Sequence, residues 1–212
     1  FWLNGRNVRL VGAARHQDRA GLGNALTAAE HEEDMQILRD MGANTVRLAH
    51  YQHAQYFYDL CDKYGLVAWA EIPYITEHMP EATANTLSQM EELVLQNYNH
   101  PSIICWGLSN EITVTTGVTE NLTANHRLLN DLCHRLDSTR PTTMAHAFML
   151  DPNDPFVQLP DICSYNLYYG WYLGELQQND EFFDTFHKNH PDRVIGLSEF
   201  GADANPAYQS AR

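Results

Sequence analysis

The 212-residue sequence predicts an α/β fold on a parallel sheet, a (β/α)8 barrel short of its last β/α unit. Two observations predict it. Seven apolar runs recur along the chain, and their cores are near-continuous, as in parallel strands covered on both faces. Helical patterns fall between most of them, and repeated strand–helix alternation builds a parallel sheet. A doubly wound open sheet is the rival, weakened because no GxGxxG or GxxxxGK[ST] follows any of the runs.

The runs are "VRLVGAA" (8–14), "TVRLAH" (45–50), "LVAWAE" (66–71), "IICWGLSN" (103–110), "TTMAH" (142–146), "ICSYN" (162–166) and "VIGLSEFG" (194–201). The first helix pattern, "TAAEHEEDMQILRDMG", opens on Thr27 and Glu30 in capping-box spacing. It is expected to bury Met35, Ile37, Leu38 and Met41 and to stop at Gly42. "AQYFYDLCDKYG" runs to Gly65 in the same way, and "TLSQMEELVLQNYNHP" ends before Pro101. "TANHRLLNDLCHRLDSTRP" ends before Pro141, and "EFFDTFHKNHP" fits a shorter last helix.

Bulk composition narrows the function classes. Hydrophobic residues make up 44% of the chain, which supports a core, and the net charge is −14 with His neutral. An acidic surface of that size argues against nucleic acid or an anionic membrane as partner, and mildly against an anionic substrate. No Lys/Arg-rich run, signal peptide or apolar run near 18 residues is seen. Cys61, Cys105, Cys133 and Cys163 are widely spaced in apolar settings, so buried free thiols are expected, which suits a reducing cytoplasm. A single Asn-x-Thr match at Asn121 carries little weight. The chain opens at "FWLNGRNVRL", without Met and as though inside a strand, and reads as a piece of something longer.

In an α/β barrel the chemistry sits at the C-terminal ends of the strands. Those ends carry Arg15, His16 and Asp18 on strand one, Arg47, His50 and Tyr51 on strand two, and Glu71 on strand three. Strand four ends on Asn110-Glu111, strand five on His146, strand six on Asn166, Tyr168 and Trp171, and strand seven on Glu199. Glu111 and Glu199 each terminate an apolar strand, and strands four and seven face one another across a closed barrel. Two such carboxyls are the minimal equipment for glycosidic bond cleavage. One donates a proton to the leaving oxygen, and the other, ionised, attacks or stabilises the anomeric carbon. A separation of roughly 5–5.5 Å implies retention through a covalent intermediate. Like charges so close raise one pKa, which suits the acid.

The sequence resembles the catalytic domain of glycoside hydrolase family 2, a TIM barrel shared by β-galactosidases, β-glucuronidases and β-mannosidases. "NHPSIICWGLSNE" (99–111) resembles the family's acid/base signature, and "NTVRLAHYQHAQYFYDLCDKYGLVAWA" its other signature, with Arg47, His50, Tyr51, Asp62 and Gly65 in register. "GLSEFGA" is similar to the nucleophile segment, and "NLYYGWY" to a strand-six segment that supplies a Tyr near the nucleophile. The resemblance spans essentially the whole chain. It implies Glu111 as acid/base, Glu199 as nucleophile and Asn110 as partner of the substrate 2-hydroxyl. It further implies Tyr168 bonded to the nucleophile, Asn166 facing the −1 sugar, Arg47 holding Glu199 or Asn110, and His16 and His50 lining the −1 subsite. Trp69 and Trp171 are divided evenly between sugar stacking and a core or wall role.

Leu48, Gln52, Tyr98 and Cys105 depart mildly from the family's usual residues. Some metal-dependent members carry a Glu-x-His magnesium site after strand three; Glu77-His78 has the wrong spacing, and neither a catalytic metal nor a cofactor is expected. The resemblance implies that residues 1–212 are a fragment, with β-sandwich domains and an eighth strand elsewhere, an open sheet edge, and doubtful turnover by this piece alone. Saccharides and other copies of the full-length protein are the partners expected. "RHQDR" (15–19), "WAEIP" (69–73) and "EFGADAN" (199–205) look most like the bacterial β-galactosidase branch, so β-galactosides rank first, β-glucuronides second and β-mannosides third. A non-catalytic carbohydrate-binding barrel is the rival of another class.

Overall fold

A computed structural model describes residues 1–201. Seven parallel strands form one sheet in chain order: β1 Gly12–Arg15, β2 Thr45–Leu48, β3 Val67–Glu71, β4 Ile103–Asn110, β5 Thr142–Ala147, β6 Ile162–Asn166 and β7 Val194–Glu199. Helices α1 Ala28–Asp40, α2 Gln55–Tyr64, α3 Thr83–Asn97 and α4 Glu120–Leu136 follow β1 to β4, and α5 Gln178–Asn189 follows β6. No helix lies between β5 and β6; residues 148–161 cover that gap with Phe156 and Val157, both fully buried. The sheet curls far enough for Arg47 on β2 to bond Glu199 on β7 directly. This is a barrel of seven strands, and among the described residues β1 and β7 do not pair.

The fold corrects the start of the chain. Trp2–Leu3 pairs antiparallel with Arg6–Asn7 around Asn4-Gly5, where both φ angles are positive as a tight hairpin turn requires. The first barrel strand begins only at Gly12. There β2 comes so close that a Cβ would stand 1.8 Å from the Thr45 carbonyl oxygen. Residues 9–11 are instead held by the Asn44 side chain, which accepts from the Val11 N–H and donates to the Arg9 carbonyl.

α1 starts on the capping box that its sequence announces, with both Thr27 and Glu30 bonds formed. Its buried stripe is His31, Met35 and Leu38; Ile37 and Met41 are exposed, against expectation. Ile37 falls on the far side of a 3.6-residue helix from Met35, and Met41 lies at the C-cap, past the last packed turn. α2 packs Phe57, Tyr58, Leu60 and Cys61, and ends on Gly65 in the left-handed conformation. α3 and α4 add Met90, Leu93, Val94, Leu122, Leu129, Leu132 and Cys133 to the same core against Val46, Leu48, Ala68, Trp106 and Leu108. Each large apolar side chain so buried contributes about 1.5–3 kcal/mol. All four cysteines are buried and free. Burial raises the thiol pKa of Cys61 and Cys133 to about 12.

Three register shifts interrupt the ladders, and two decide what reaches the barrel mouth. On β4, Gly107 pairs with Thr143 but Asn110 pairs with Ala145, three residues against two. On β7, Leu197 pairs with Tyr165 but Glu199 pairs with Asn166, two against one. Each is a β-bulge, which re-aims the side chains beyond it. Trp106 faces the helices, donating to Asp137; without the bulge Asn110, four residues on, would face them too. With it, Asn110 turns into the barrel. Among the described residues no helix is long and apolar enough to cross a membrane.

Candidate active site

Arg47 organises the mouth of the barrel. It is 5% exposed, and four of its N–H directions are taken. Nε and Nη2 donate to the two oxygens of Glu71 at 3.0 and 2.9 Å, Nη1 donates to Glu199 Oε1 at 2.6 Å, and Nη2 donates to Asn110 Oδ1 at 2.8 Å. One cation therefore ties the ends of β2, β3, β4 and β7 together. Burial alone would lower the Arg47 pKa; the charges and bonds of Glu71 and Glu199 outweigh it and raise the pKa. Burial alone would raise Glu71, which is 1% exposed; the Arg47 charge and the His50 bond hold it below the usual range.

Gly107 makes room for this arrangement. A Cβ there would lie 2.5 Å from both the Glu71 Cβ and the Trp69 indole nitrogen. Trp69 sits inside the barrel under the Arg47 guanidinium, 4.9 Å from it. That places it on the core side of the two roles open to it, whereas Trp171 is 39% exposed and stacks on Tyr172 at 3.8 Å.

The bonds also fix the orientation of three polar side chains. An arginine only donates, so the Asn110 atom facing Arg47 is its oxygen, which accepts from Asn166 as well, at 3.2 Å. The Asn110 NH2 is left to face the cavity. Asn166 donates to Glu111 Oε1 at 2.9 Å and accepts from Ser198 at 2.7 Å, which settles its orientation too. His50 Nδ1 lies 2.8 Å from Glu71 Oε1 and donates to it; the Arg47 nitrogen 3.1 Å away is a second donor converging on the same oxygen. Nε2 of His50 lies 3.7 Å from Glu199 Oε1. His16 stands edge-on to His50, ring centres 5.0 Å apart.

The Tyr168 hydroxyl donates to Glu199 Oε2. Burial raises the phenol pKa and the bond to Glu199 raises it further, so Tyr168 remains a donor across the working pH range. Glu111 is half-buried, with a φ of 43°, in the left-handed region that non-glycine residues rarely occupy. Its N–H donates to the Ala145 carbonyl, and its carbonyl accepts from Val114.

Eight side chains singled out in the sequence, Arg47, His16, His50, Asn110, Glu111, Asn166, Tyr168 and Glu199, thus share one site. The model for glycosyl hydrolases family 2, TIM barrel domain, matches residues 1–210. The chain belongs to this family. A family-2 relative, the β-glucuronidase of Bacteroides fragilis, is 43% identical over 99% of the chain and 30% of its own length. The crystal structure of an FMN-binding β-glucuronidase from Facaelibacterium prausnitzii L2-6 has a TM-score of 0.93 and 45% identity, covering 98% of this chain and 32% of that one. The β-glucuronidase of Bacteroides uniformis has a TM-score of 0.91 and 37% identity, covering 96% and 26%. The chain therefore spans about a third or less of the length of these relatives.

Not every strand-end residue joins the family-2 site. Arg15 points outward into α1 and α2, and His146 faces the helix layer beside Phe156 and Tyr165. β5 instead offers Ala145 and Ala147, whose small side chains leave space. Glu71 carried no assigned role in the sequence beyond its strand end, and Ser198 none at all; an acid closing the apolar run "LVAWAE" was the available signal for Glu71. His78 bonds Tyr74 and Asn121. The 202–205 part of the stretch likened to β-galactosidases lies outside the described residues.

Proposed function

We propose that this chain is the catalytic barrel of a larger retaining β-glycosidase acting on β-glucuronides. The observation that carries the reading is the single network joining Glu199, Arg47, Asn110, Asn166 and Glu111. Glu199, oriented by the Arg47 cation and the Tyr168 hydroxyl, is suited to attack the anomeric carbon. Glu111 receives one bond from Asn166 on Oε1, which leaves Oε2 to carry a proton to the departing glycosidic oxygen. The same group then takes a proton from the water that hydrolyses the glycosyl–Glu199 ester. The Asn110 NH2 and the His50 Nε2 are polar groups suited to sugar hydroxyls.

The choice of sugar departs from the order read in the sequence. Relatives at 37, 43 and 45% identity are β-glucuronidases, against one at 39%, from Bacteroides fragilis, that is named a putative β-galactosidase; the balance favours the glucuronide over the β-galactoside ranked first. The test is the full-length protein against aryl β-glucuronide, β-galactoside and β-mannoside. Hydrolysis of the glucuronide by at least tenfold in kcat/KM over the others, lost on Glu199→Gln, is the expected result. Preference for another sugar overturns the substrate, and hydrolysis that survives Glu199→Gln overturns the mechanism.

A further inference from the structure

The β4 bulge turns Asn110 inward and, by the same step, turns the preceding Ser109 outward, where it is 2% exposed among the helices. Ser109 lies 2.8 Å from His126 Nε2 on α4. His126 Nδ1 lies 2.9 Å from the Leu122 carbonyl, which only accepts, so Nδ1 carries the proton and Nε2 accepts from the Ser109 hydroxyl. The imidazole is fully buried, stacked on Tyr74 at 5.1 Å and edge-on to Phe156 at 4.9 Å.

Tyr74 closes the loop back to the strand. Its carbonyl accepts from the Asn110 N–H at 2.9 Å, and Thr76 N–H donates to the Asn110 carbonyl at 3.1 Å. Its hydroxyl accepts from Asn125 and donates to His78 Nδ1, whose other nitrogen donates to Asn121. The residue between the bulge and Glu111 is thus clamped by its backbone to the β3–α3 loop, and that loop is tied through side chains to α4. Every bond has a consistent donor and acceptor. None of these side chains belongs to the network of the barrel mouth.

We propose that Ser109, His126 and Tyr74 form an outer brace that pins the β4 bulge and so positions Glu111 for proton donation. They are positioning residues, since none faces the cavity that holds Glu111 and Glu199. Glu111 depends on such a brace because its left-handed backbone costs energy that local sequence does not offset. The proposal rests on the reading of Glu111 as the acid/base. Small errors in placing a catalytic group far from the altered side chain cost up to about 10²-fold in rate.

The experiment uses the full-length protein and two glycosides of the sugar it hydrolyses fastest, one with a dinitrophenyl leaving group and one with an alkyl leaving group. Only the alkyl substrate needs strong acid assistance. Ser109→Ala and Tyr74→Phe are each expected to lower kcat about tenfold on the alkyl glycoside, with KM unchanged and the dinitrophenyl rate within about twofold. Thermal unfolding reports the folded fraction of each variant. A merely structural role would lower both substrates alike, and that result, or unchanged kinetics on both, overturns the brace. Glu111→Gln is run beside them. If it spares the alkyl glycoside, the acid/base reading fails and the brace with it. If it selectively abolishes alkyl hydrolysis while Ser109→Ala and Tyr74→Phe do not follow, only the brace fails.

Discussion

Two buried arginines stand on neighbouring strands, and they solve the same problem in opposite ways. Arg47 on β2 faces the barrel interior; Arg15 on β1, 6% exposed, faces the helices. Arg47 is surrounded by carboxylates, with Glu71 on two of its nitrogens and Glu199 on a third. Arg15 has a single carboxylate, Asp34, and completes its shell with two histidines, Nδ1 of His53 and Nδ1 of His31, each at 3.0 Å, over the ring of Phe57. Because an arginine has no acceptor, both histidines must be neutral with a lone pair on Nδ1. His53 then donates from Nε2 to the Ala49 carbonyl, directly before His50. The interior arginine is a charge device that holds an anion ready. The exterior one is a scaffold that fixes the loop carrying His50 and Tyr51. The pKa of Arg47 is raised, and that of Arg15 is lowered by burial that its one carboxylate does not offset.

Truncating each arginine breaks the comparison most directly. Arg47→Met strands Glu71 in the core without a counterion, which costs about 3–5 kcal/mol. It also removes a fixed positive donor from Glu199, the proposed nucleophile, so kcat should fall by at least about 10²-fold. Arg15→Met leaves Asp34 23% exposed and still paired with Arg19, so the loss of stability should be smaller, about 1–3 kcal/mol. Its kcat should stay within several-fold. Denaturant unfolding and steady-state kinetics on both variants check this; equal losses of kcat would erase the distinction drawn between them.

Acid sharpens the same contrast, because the exterior cluster needs neutral histidines. Burial, with the Arg15 charge added, lowers the His53 pKa from 6.5 to about 3. Between those values the unfolded chain binds a proton that the folded chain refuses. Stability therefore rises with pH across the window, and is lost as pH falls from about 6.5 towards about 3. One such group contributes a slope of about 1.4 kcal/mol per pH unit. His126 and His146, lowered by burial to about 4 and about 3, act in the same sense. Urea unfolding between pH 6 and pH 4 should lose stability steeply, with a shallower slope in His53→Gln. A flat profile would mean that His53 accepts a proton within the fold.

Much of the barrel and of its mouth was legible in the sequence, for a physical reason. Parallel strands buried on both faces must be apolar, so a polar residue closing such a run stands out, as Glu71, Asn110, Glu111, Asn166 and Glu199 do. What the sequence hid is which way each end faces. A β-bulge changes the parity of a strand without changing its composition. Strict alternation from Trp106 would send Asn110 outward, and from Gly196 would send Glu199 away from Arg47. The opposite directions of Arg15 and His16 follow plain alternation but depend on where β1 starts, and the run at 8–14 begins four residues before the observed strand. His146 was misplaced as a mouth residue for want of the same parity.

The smallest expected effect tests how far the exterior scaffold is separable from the chemistry. α1 carries both His31 and Asp34, and its first turn is closed by Thr27, whose hydroxyl oxygen accepts from the Ala29 N–H while Glu30 accepts from the Thr27 N–H. Thr27→Ala removes half of this box and should cost about 1 kcal/mol. The Thr27 carbonyl, which accepts from the His31 N–H, is kept in the variant, so His31 keeps Arg15, and kcat and KM should both be unchanged. Unfolding in urea and kinetics at saturating substrate check the two halves of the expectation. A fall in kcat from so remote and mild a change would mean that the Arg15 cluster transmits strain to His50, and that the outward arginine belongs to the catalytic machinery after all.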